Sequence, residues 1–131
     1  MVILDTDLLV GLLKGEESAI EKVKKFECQN SEIFITSITS YELFKGVYLS
    51  SNKEKNLLQV ERLLNNINIL HFDLESSKIS AKVYSYLKKK GLLTNLMDQM
   101  IAAIAISKNE TVITRNAKHY KNIPTLKMES W

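Results

Sequence analysis

Short apolar runs alternate along the chain with longer segments in which apolar residues recur every three or four positions. The short runs have the apolar and β-branched composition of buried strands, and they cover residues 2–5, 32–36, 67–70 and 111–114. The longer segments have the periodicity of helices with one apolar face. Strands that are separated by helices favour an α/β fold with a parallel sheet and helices on both of its faces.

Capping residues set the expected ends of the helices. The predicted helical segments cover residues 8–14, 17–25, 37–49, 52–66, 74–90 and 95–107. We expect Asp7 to cap the first helix, Ser37 or Thr39 to cap the third, and Asp73 to cap the helix that ends in three lysines. Glycines follow two of the segments, at Gly15 and Gly91, as is typical of helix ends.

Composition narrows the class of protein without selecting a function. The chain has 131 residues, 18 lysines and arginines and 15 acidic residues, and a net charge of +3. This length predicts one domain over residues 1–131, and no apolar run approaches the roughly 18 residues of a membrane span. The first residues lack the pattern of a secretory signal, and Cys28, expected in a polar loop, is the only cysteine. We therefore expect a cytoplasmic protein without disulfides.

Four polar residues fall where a parallel sheet usually holds its ligand, beyond the carboxyl ends of the strands. Asp5 ends the first strand, Glu42 lies in the helix after the second, Asp98 begins the apolar helix, and Asn116 follows the fourth strand. Each also has a structural alternative. Asp5 could begin a turn, and Glu42 completes a possible capping box with Thr39. Asp98 could form a weaker capping box with Asn95, and Asn116 could cap the short turn before Tyr120.

Asp5 and Asp98 border apolar segments, where an unpaired carboxylate is costly to bury. If Asp5, Glu42 and Asp98 converge, their mutual repulsion calls for a divalent cation, and an all-oxygen ligand set favours Mg²⁺ or Mn²⁺ over zinc. His71 and His119 are far apart in sequence, and we expect both to be surface or partly packed side chains rather than a zinc pair.

Four sequence blocks, in this order and at these separations, resemble the PIN-domain ribonucleases of the VapC toxin type. The similarity extends over nearly the whole chain, and the blocks are Val2-Ile3-Leu4-Asp5-Thr6-Asp7, Ser37-Ile38-Thr39-Ser40-Tyr41-Glu42-Leu43-Phe44-Lys45-Gly46, Asp98-Gln99-Met100-Ile101-Ala102-Ala103 and Val112-Ile113-Thr114-Arg115-Asn116. The resemblance implies a three-layer α/β/α domain with a short, mainly parallel sheet. It also implies RNA cleavage that depends on Mg²⁺ or Mn²⁺, a small cognate antitoxin, and a homodimer.

The resemblance also suggests roles for individual residues. Asp5 and Asp98 correspond to the principal metal ligands and Glu42 to a further ligand or water-orienting base. Asn116 and His119 stand at or near positions where relatives often have acids, which predicts one tightly held cation and at most one weak one.

Residues next to the acids are candidates for supporting roles. We expect Thr6 and Thr114 to hydrogen-bond the carboxylates. Possible RNA contacts are Lys45, Arg115 and Lys118.

Two other functions remain open at the level of sequence. Asp5-Thr6-Asp7 after a strand also resembles the nucleophile motif of haloacid-dehalogenase phosphatases, with Asp5 as the phosphorylated residue. The rest of the chain lacks the paired acids and the cap of those enzymes. The missing fourth acid is also compatible with a PIN-like module that binds RNA or a partner without cutting it.

Overall fold

A computed structural model describes residues 1–131, and it contains five strands and seven helices. In chain order they are β1 (Val2–Leu4), α1 (Thr6–Leu13), α2 (Glu17–Cys28), β2 (Ile33–Thr36), α3 (Ser37–Leu49), α4 (Lys53–Leu64), β3 (Asn68–Leu70), α5 (Leu74–Lys90), α6 (Leu96–Lys108), β4 (Thr111–Ile113), α7 (Ala117–Tyr120) and β5 (Lys127–Glu129).

The strands form one sheet in the order β3-β2-β1-β4-β5, and every neighbouring pair is parallel. This arrangement confirms the predicted α/β fold. The chain starts at the centre of the sheet and builds outward, first to β2 and β3 and then to β4 and β5. The carboxyl ends of β1 and β4 consequently lie side by side at one edge, where Leu4 is level with Ile113.

Alternation along the strands divides the apolar residues between two cores, one on each face of the sheet. Val2 and Leu4 face a core that includes side chains from α1, α2, α3 and α4. Ile3, between them in sequence, faces the core of α5, α6 and α7. Both faces are covered, which explains why residues 2–4 are a continuous apolar run rather than an alternating one.

The start of α1 differs from the prediction. Asp5, not Asp7, is the N-cap: its backbone is extended, and its side chain accepts a hydrogen bond from the Thr6 amide. β1 ends at Leu4 and the chain enters the helix at once, so the first residue after the strand has to satisfy the free amides of the first turn. Asp7 lies within that turn.

Two further local predictions were wrong. Thr36 is the N-cap of α3 and accepts from the Thr39 amide at 3.1 Å, so neither Ser37 nor Thr39 caps this helix. Cys28 is the last residue of α2 rather than a loop residue, because the helix continues past its predicted end. By contrast, Asp73 caps α5 as expected and accepts from the Ser76 amide at 2.9 Å.

The end of α5 and the start of α6 determine where Asp98 lies. Gly91 ends α5 in the left-handed conformation (φ +68°), and the Leu92 amide donates to the Leu87 carbonyl at 2.9 Å. The following helix then begins after a short connection, with Asn95 as its cap. Asp98 is thereby placed in the first turn of α6. None of the seven helices combines the length and apolar character that crossing a lipid bilayer requires.

Candidate active site

Asp5 occupies the centre of the carboxyl edge of the sheet and is only 4% exposed. One carboxylate oxygen, Oδ1, accepts from the Thr6 amide and the other, Oδ2, accepts from the Thr114 hydroxyl, both at 2.7 Å. Burial raises the pKa of Asp5, the two hydrogen bonds lower it, and the neighbouring charge of Asp7 raises it; the net direction is upward. Its side chain is therefore held rigidly, in surroundings that resist its negative charge.

Thr114 joins the first and the last of the four sequence blocks through its hydroxyl group. Besides donating to Asp5, Thr114 Oγ1 accepts a hydrogen bond from the Asn116 amide at 3.0 Å. The threonine is completely buried at the end of β4. This single hydroxyl therefore fixes the position of Asp5 relative to the loop that follows β4.

Glu42 is half-buried on α3 and faces the start of α1. Its Oε1 accepts from the Thr6 hydroxyl at 2.6 Å, so the capping-box interpretation of Glu42 with Thr39 is wrong. Burial raises the pKa of Glu42, the bond from Thr6 lowers it, and the charge of Asp5 raises it. Thr6 thus contacts two acids at once, Asp5 through its amide and Glu42 through its hydroxyl.

Asp98 approaches the same edge from α6. Its Oδ2 lies 3.0 Å from His119 Nδ1, and its Oδ1 accepts from the Tyr120 hydroxyl at 3.4 Å. Burial, and after it the charge of Asp5, raises the pKa of Asp98 to about 6. The contact with His119 lowers this pKa and so opposes part of the rise. The charge of Glu42 raises it further, so all three carboxylates lie within electrostatic reach of one another.

Three residues at this edge were not among the predicted site residues. Asp7, expected to be a simple helix cap, accepts a hydrogen bond from the Asn116 side chain, and its charge acts on both Asp5 and Glu42. His119 contacts Asp98, whereas His71 is exposed. The third is Tyr120.

Tyr120 is 1% exposed, and burial together with the neighbouring carboxylates raises its pKa. Its hydroxyl therefore stays a neutral donor. Both residues lie in the short helix that Asn116 precedes. Their spacing from Asn116 is the sequence signal that could have indicated their place beside the acids.

The predicted RNA-contacting residues differ in whether other side chains already contact them. The Arg115 guanidinium lies 3.0 Å from the Glu16 carboxylate and 4.6 Å from the centroid of the Trp131 ring, so it already has two partners. Lys45 lies over the Tyr41 ring, 5.4 Å from its centroid, and its charge lowers the pKa of Glu42. Lys118 is exposed.

The donor set suits a hard divalent cation, since it consists of carboxylates whose charges repel one another in a partly buried setting. In the present arrangement, however, no group of three or more acidic, histidine or cysteine side chains is close enough together to enclose a metal ion. Asp98 is turned toward His119 and Tyr120, and Glu42 toward Thr6. The chemistry of the donors fits a cation, and enclosing one requires a change in side-chain orientation.

A cleft of about 380 Å³ adjoins these acids. It opens between α1, α3 and α4, and Glu42 forms part of its wall beside Val10, Leu43 and Val60. The cleft therefore connects an apolar surface directly with one carboxylate of the site.

Comparison with known proteins establishes the family. The model of the PIN domain family matches residues 2–124. The chain belongs to the PIN domain family. Ribonuclease VapC2 of Rickettsia felis is 31% identical to this PIN domain over 128 residues, which are 98% of this chain and 96% of the relative. The tRNA(fMet)-specific endonuclease VapC of Salmonella typhimurium is 30% identical over the same shares of the two chains.

Solved structures agree with this assignment. VapBC2 from Rickettsia felis, bound to a DNA fragment from the promoter, contains a chain that matches this PIN domain with a TM-score of 0.92 and 32% identity. That match covers 100% of this chain and 99% of the other. DNA-bound VapBC from Salmonella typhimurium gives a TM-score of 0.90 at 30% identity, with 99% and 97% covered. The resemblance to VapC-type PIN domains is confirmed.

Proposed function

We propose that this PIN domain is an endoribonuclease that depends on Mg²⁺ or Mn²⁺ and acts as the toxin of a toxin–antitoxin pair in the cytoplasm. The observation that carries the proposal is the convergence of Asp5, Glu42 and Asp98 on one edge of the sheet, where the charge of Asp5 raises the pKa of both Glu42 and Asp98 and the charge of Glu42 raises that of Asp98. Full-length similarity to VapC ribonucleases supports the choice of RNA as substrate.

Three carboxylates would hold the cation through their oxygens: those of Asp5, Glu42 and Asp98. Thr6 and Thr114 fix the position of Asp5 by hydrogen bonds. A bound Mg²⁺ or Mn²⁺ would supply positive charge for the scissile phosphate and lower the pKa of a water molecule. Glu42 borders both the acids and the open cleft, which suits it to orient that water for attack on the phosphate.

The side chains around Asp98 set the conditions for this chemistry. Asp98 has to be ionised to hold a cation, and its pKa of about 6 makes that ionisation incomplete in mildly acidic solution. Tyr120 remains a hydrogen-bond donor. His119 and Tyr120 hold the Asp98 carboxylate in its metal-free orientation, from which it would turn to bind the cation.

The partner follows from the same comparison. The neighbouring structures are VapBC toxin–antitoxin complexes, and we propose a cognate small antitoxin protein for this chain. An apolar antitoxin segment in the cleft beside Glu42 would block access to the acids. We also propose that the chain forms a homodimer. Purification together with the product of a short adjacent gene, and stoichiometric loss of RNase activity in that complex, would test the partner.

The decisive experiment is RNA cleavage with controlled metal. We expect cleavage of purified RNA in Mg²⁺ or Mn²⁺, none in EDTA, and none by Asp5→Asn or Asp98→Asn proteins that retain the wild-type circular dichroism spectrum. Glu61→Gln is the matched control, because it removes a carboxylate charge from the exposed face of α4.

Full activity in EDTA would refute the metal dependence. Metal-independent RNA binding without any cleavage by the wild-type protein would favour the non-cleaving module instead. A stable beryllofluoride adduct at Asp5 would favour the phosphatase.

A further inference from the structure

Helix α5 has a larger net positive charge than the whole chain. It contains five lysines and one glutamate, a net charge of +4, whereas the complete chain has a net charge of +3. The remainder of the protein is therefore slightly acidic. The lysines are Lys78, Lys82, Lys88, Lys89 and Lys90.

These lysines face solvent without carboxylate partners. All five are exposed, and none lies within 4.0 Å of a carboxylate. At the basic end of the helix, Lys88, Lys89 and Lys90 follow one another directly, so their charges also repel. A polyanion that lies along this surface would reduce that repulsion and release its own counterions.

Two tyrosines stand among the lysines. Tyr84 and Tyr86 are 41% and 42% exposed, although large aromatic side chains usually lose more of their surface on folding. Lys88 Nζ lies 5.9 Å from the centroid of the Tyr84 ring, and Lys90 Nζ lies 5.8 Å from that of Tyr86. Accessible rings next to cations are the combination on which unpaired nucleic-acid bases stack.

The basic end of α5 lies toward the acids of the candidate active site. Ser76, in the first turn of α5, is 3.5 Å from Ser107 in the last turn of α6, so the two helices run antiparallel. Only residues 91–95 separate the last lysine of α5 from the start of α6. Asp98 is in the first turn of α6 and therefore at the same end of the helix pair.

We propose that the outer face of α5 binds a single-stranded segment of the RNA that flanks the phosphodiester cleaved at Asp5, Glu42 and Asp98. The inference rests on the proposed ribonuclease function and extends it to a second, separate RNA-contacting surface. Lysines would contact phosphates, and Tyr86, with its neighbour Lys90, would stack against a base.

Other occupants fit this face less well. An isologous contact with a second copy of the chain would place ten lysines opposite one another, which is unfavourable. A lipid surface needs an apolar helix face to insert, and the apolar face of α5, including Val83 and Leu87, is already buried against the core. RNA uses both the free charge and the exposed rings.

The test is RNA binding without cleavage, measured by fluorescence anisotropy. The probe is a fluorescein-labelled 20-nucleotide RNA without secondary structure, in EDTA over a series of KCl concentrations. The test variant is Lys82→Gln/Lys89→Gln/Lys90→Gln. The matched control is Lys24→Gln/Lys53→Gln/Lys55→Gln, which removes the same charge from exposed positions on α2 and α4.

We expect the α5 variant to bind at least about 10-fold more weakly near 0.1 M salt and to lower the salt slope by about 2, since each single-strand phosphate contact contributes about 0.7. The control should change the affinity less than about twofold. Tyr86→Ala, checked for unaltered thermal stability, should weaken binding about fivefold at every salt concentration without changing the slope, because stacking releases few ions.

Equal losses in the α5 variant and the control, or an unchanged salt slope, would overturn the proposal. So would binding to phosphatidylglycerol vesicles that depends on the α5 lysines while RNA binding does not. Cleavage separates this proposal from the ribonuclease function: the α5 variant should cleave a tetranucleotide at the wild-type rate and a long RNA with a raised KM. If the wild-type protein cleaves neither RNA in Mg²⁺ or Mn²⁺, the ribonuclease proposal fails, and the binding comparison still decides whether α5 contacts RNA.

Discussion

The carboxyl edge of the sheet carries acids that are largely buried, whereas the outer face of α5 carries lysines that are exposed. At the sheet edge, Asp5 is nearly inaccessible, accepts two hydrogen bonds and has a raised pKa. On α5, each lysine is exposed and has no carboxylate partner. The acids are costly to ionise and are held in place by hydrogen bonds, whereas the lysines are exposed to solvent. A fixed acid suits chemistry on one phosphate, and a row of exposed lysines suits contact with several.

Removing one acid should separate the roles of the two regions most strongly. Asp5→Asn should reduce RNA cleavage roughly 10³-fold, which corresponds to losing about 4 kcal/mol of transition-state stabilisation by a cation. RNA affinity in EDTA should stay within about twofold, because the α5 face is unchanged. Cleavage rates and anisotropy on the same preparation measure both quantities. A parallel loss of affinity would mean that the two regions do not act separately.

A smaller effect is expected from the hydroxyl that holds Asp5. Thr114→Val keeps the shape of the side chain but removes the bond to Asp5 Oδ2 and the acceptor for the Asn116 amide. We expect a 10- to 100-fold loss in apparent Mn²⁺ affinity, the usual consequence of removing a group that orients a metal ligand. Isothermal titration calorimetry measures it.

Thr111→Val is the control for this prediction, since Thr111 lies on the same strand and its hydroxyl makes no hydrogen bond to the acids. Equal Mn²⁺ affinity in the Thr114→Val and Thr111→Val proteins would show that Asp5 needs no such orientation.

The energetic cost of the acidic edge is testable in the absence of metal. The pKa of Asp98 is raised from 3.8 to about 6, so the folded state binds a proton more tightly than the unfolded state does. Stability therefore falls as pH rises from about 4 to about 6 and stays lower above that range. Asp98→Asn should raise Tm in EDTA at pH 7.5 by a few degrees, the shift that about 1 kcal/mol produces in a chain of this size, and by much less at pH 4.

Mn²⁺ should reverse this order at pH 7.5 by stabilising the wild-type protein more than the Asp98→Asn protein, because a ligand stabilises the state that binds it. Thermal denaturation followed by circular dichroism measures Tm for both proteins in all three conditions. A lower Tm for Asp98→Asn in EDTA at pH 7.5 would contradict the inferred repulsion.

The smallest effects concern the basic residues at the rim of the site. Arg115 is already engaged by Glu16 and Trp131, so Arg115→Ala should lower stability by about 1 kcal/mol or less and leave the KM for RNA unchanged. Lys118 is exposed, and Lys118→Ala should raise KM about twofold without changing Tm. A raised KM for Arg115→Ala alone would assign the phosphate contact to the arginine instead.

Much of the fold was predictable because local patterns and packing agree. The apolar runs became strands, the periodic segments became helices, and Asp73 and Gly91 end α5 as their chemistry predicts. The first cap was misplaced because Asp5 and Asp7 are equally good caps in sequence. The choice between them depends on where β1 leaves the sheet, which is set by its pairing with β4.

The sequence by itself determined the parallel architecture, the candidate acids and the resemblance to PIN-domain ribonucleases, because residue types and spacing carry that information. Only the tertiary structure decided which atoms meet. Glu42 bonds to Thr6 rather than capping its own helix, and the partly packed His119 bonds to Asp98. These pairs are 36 and 21 residues apart, and contacts of that kind depend on how strands and helices are placed in space, which no local pattern specifies.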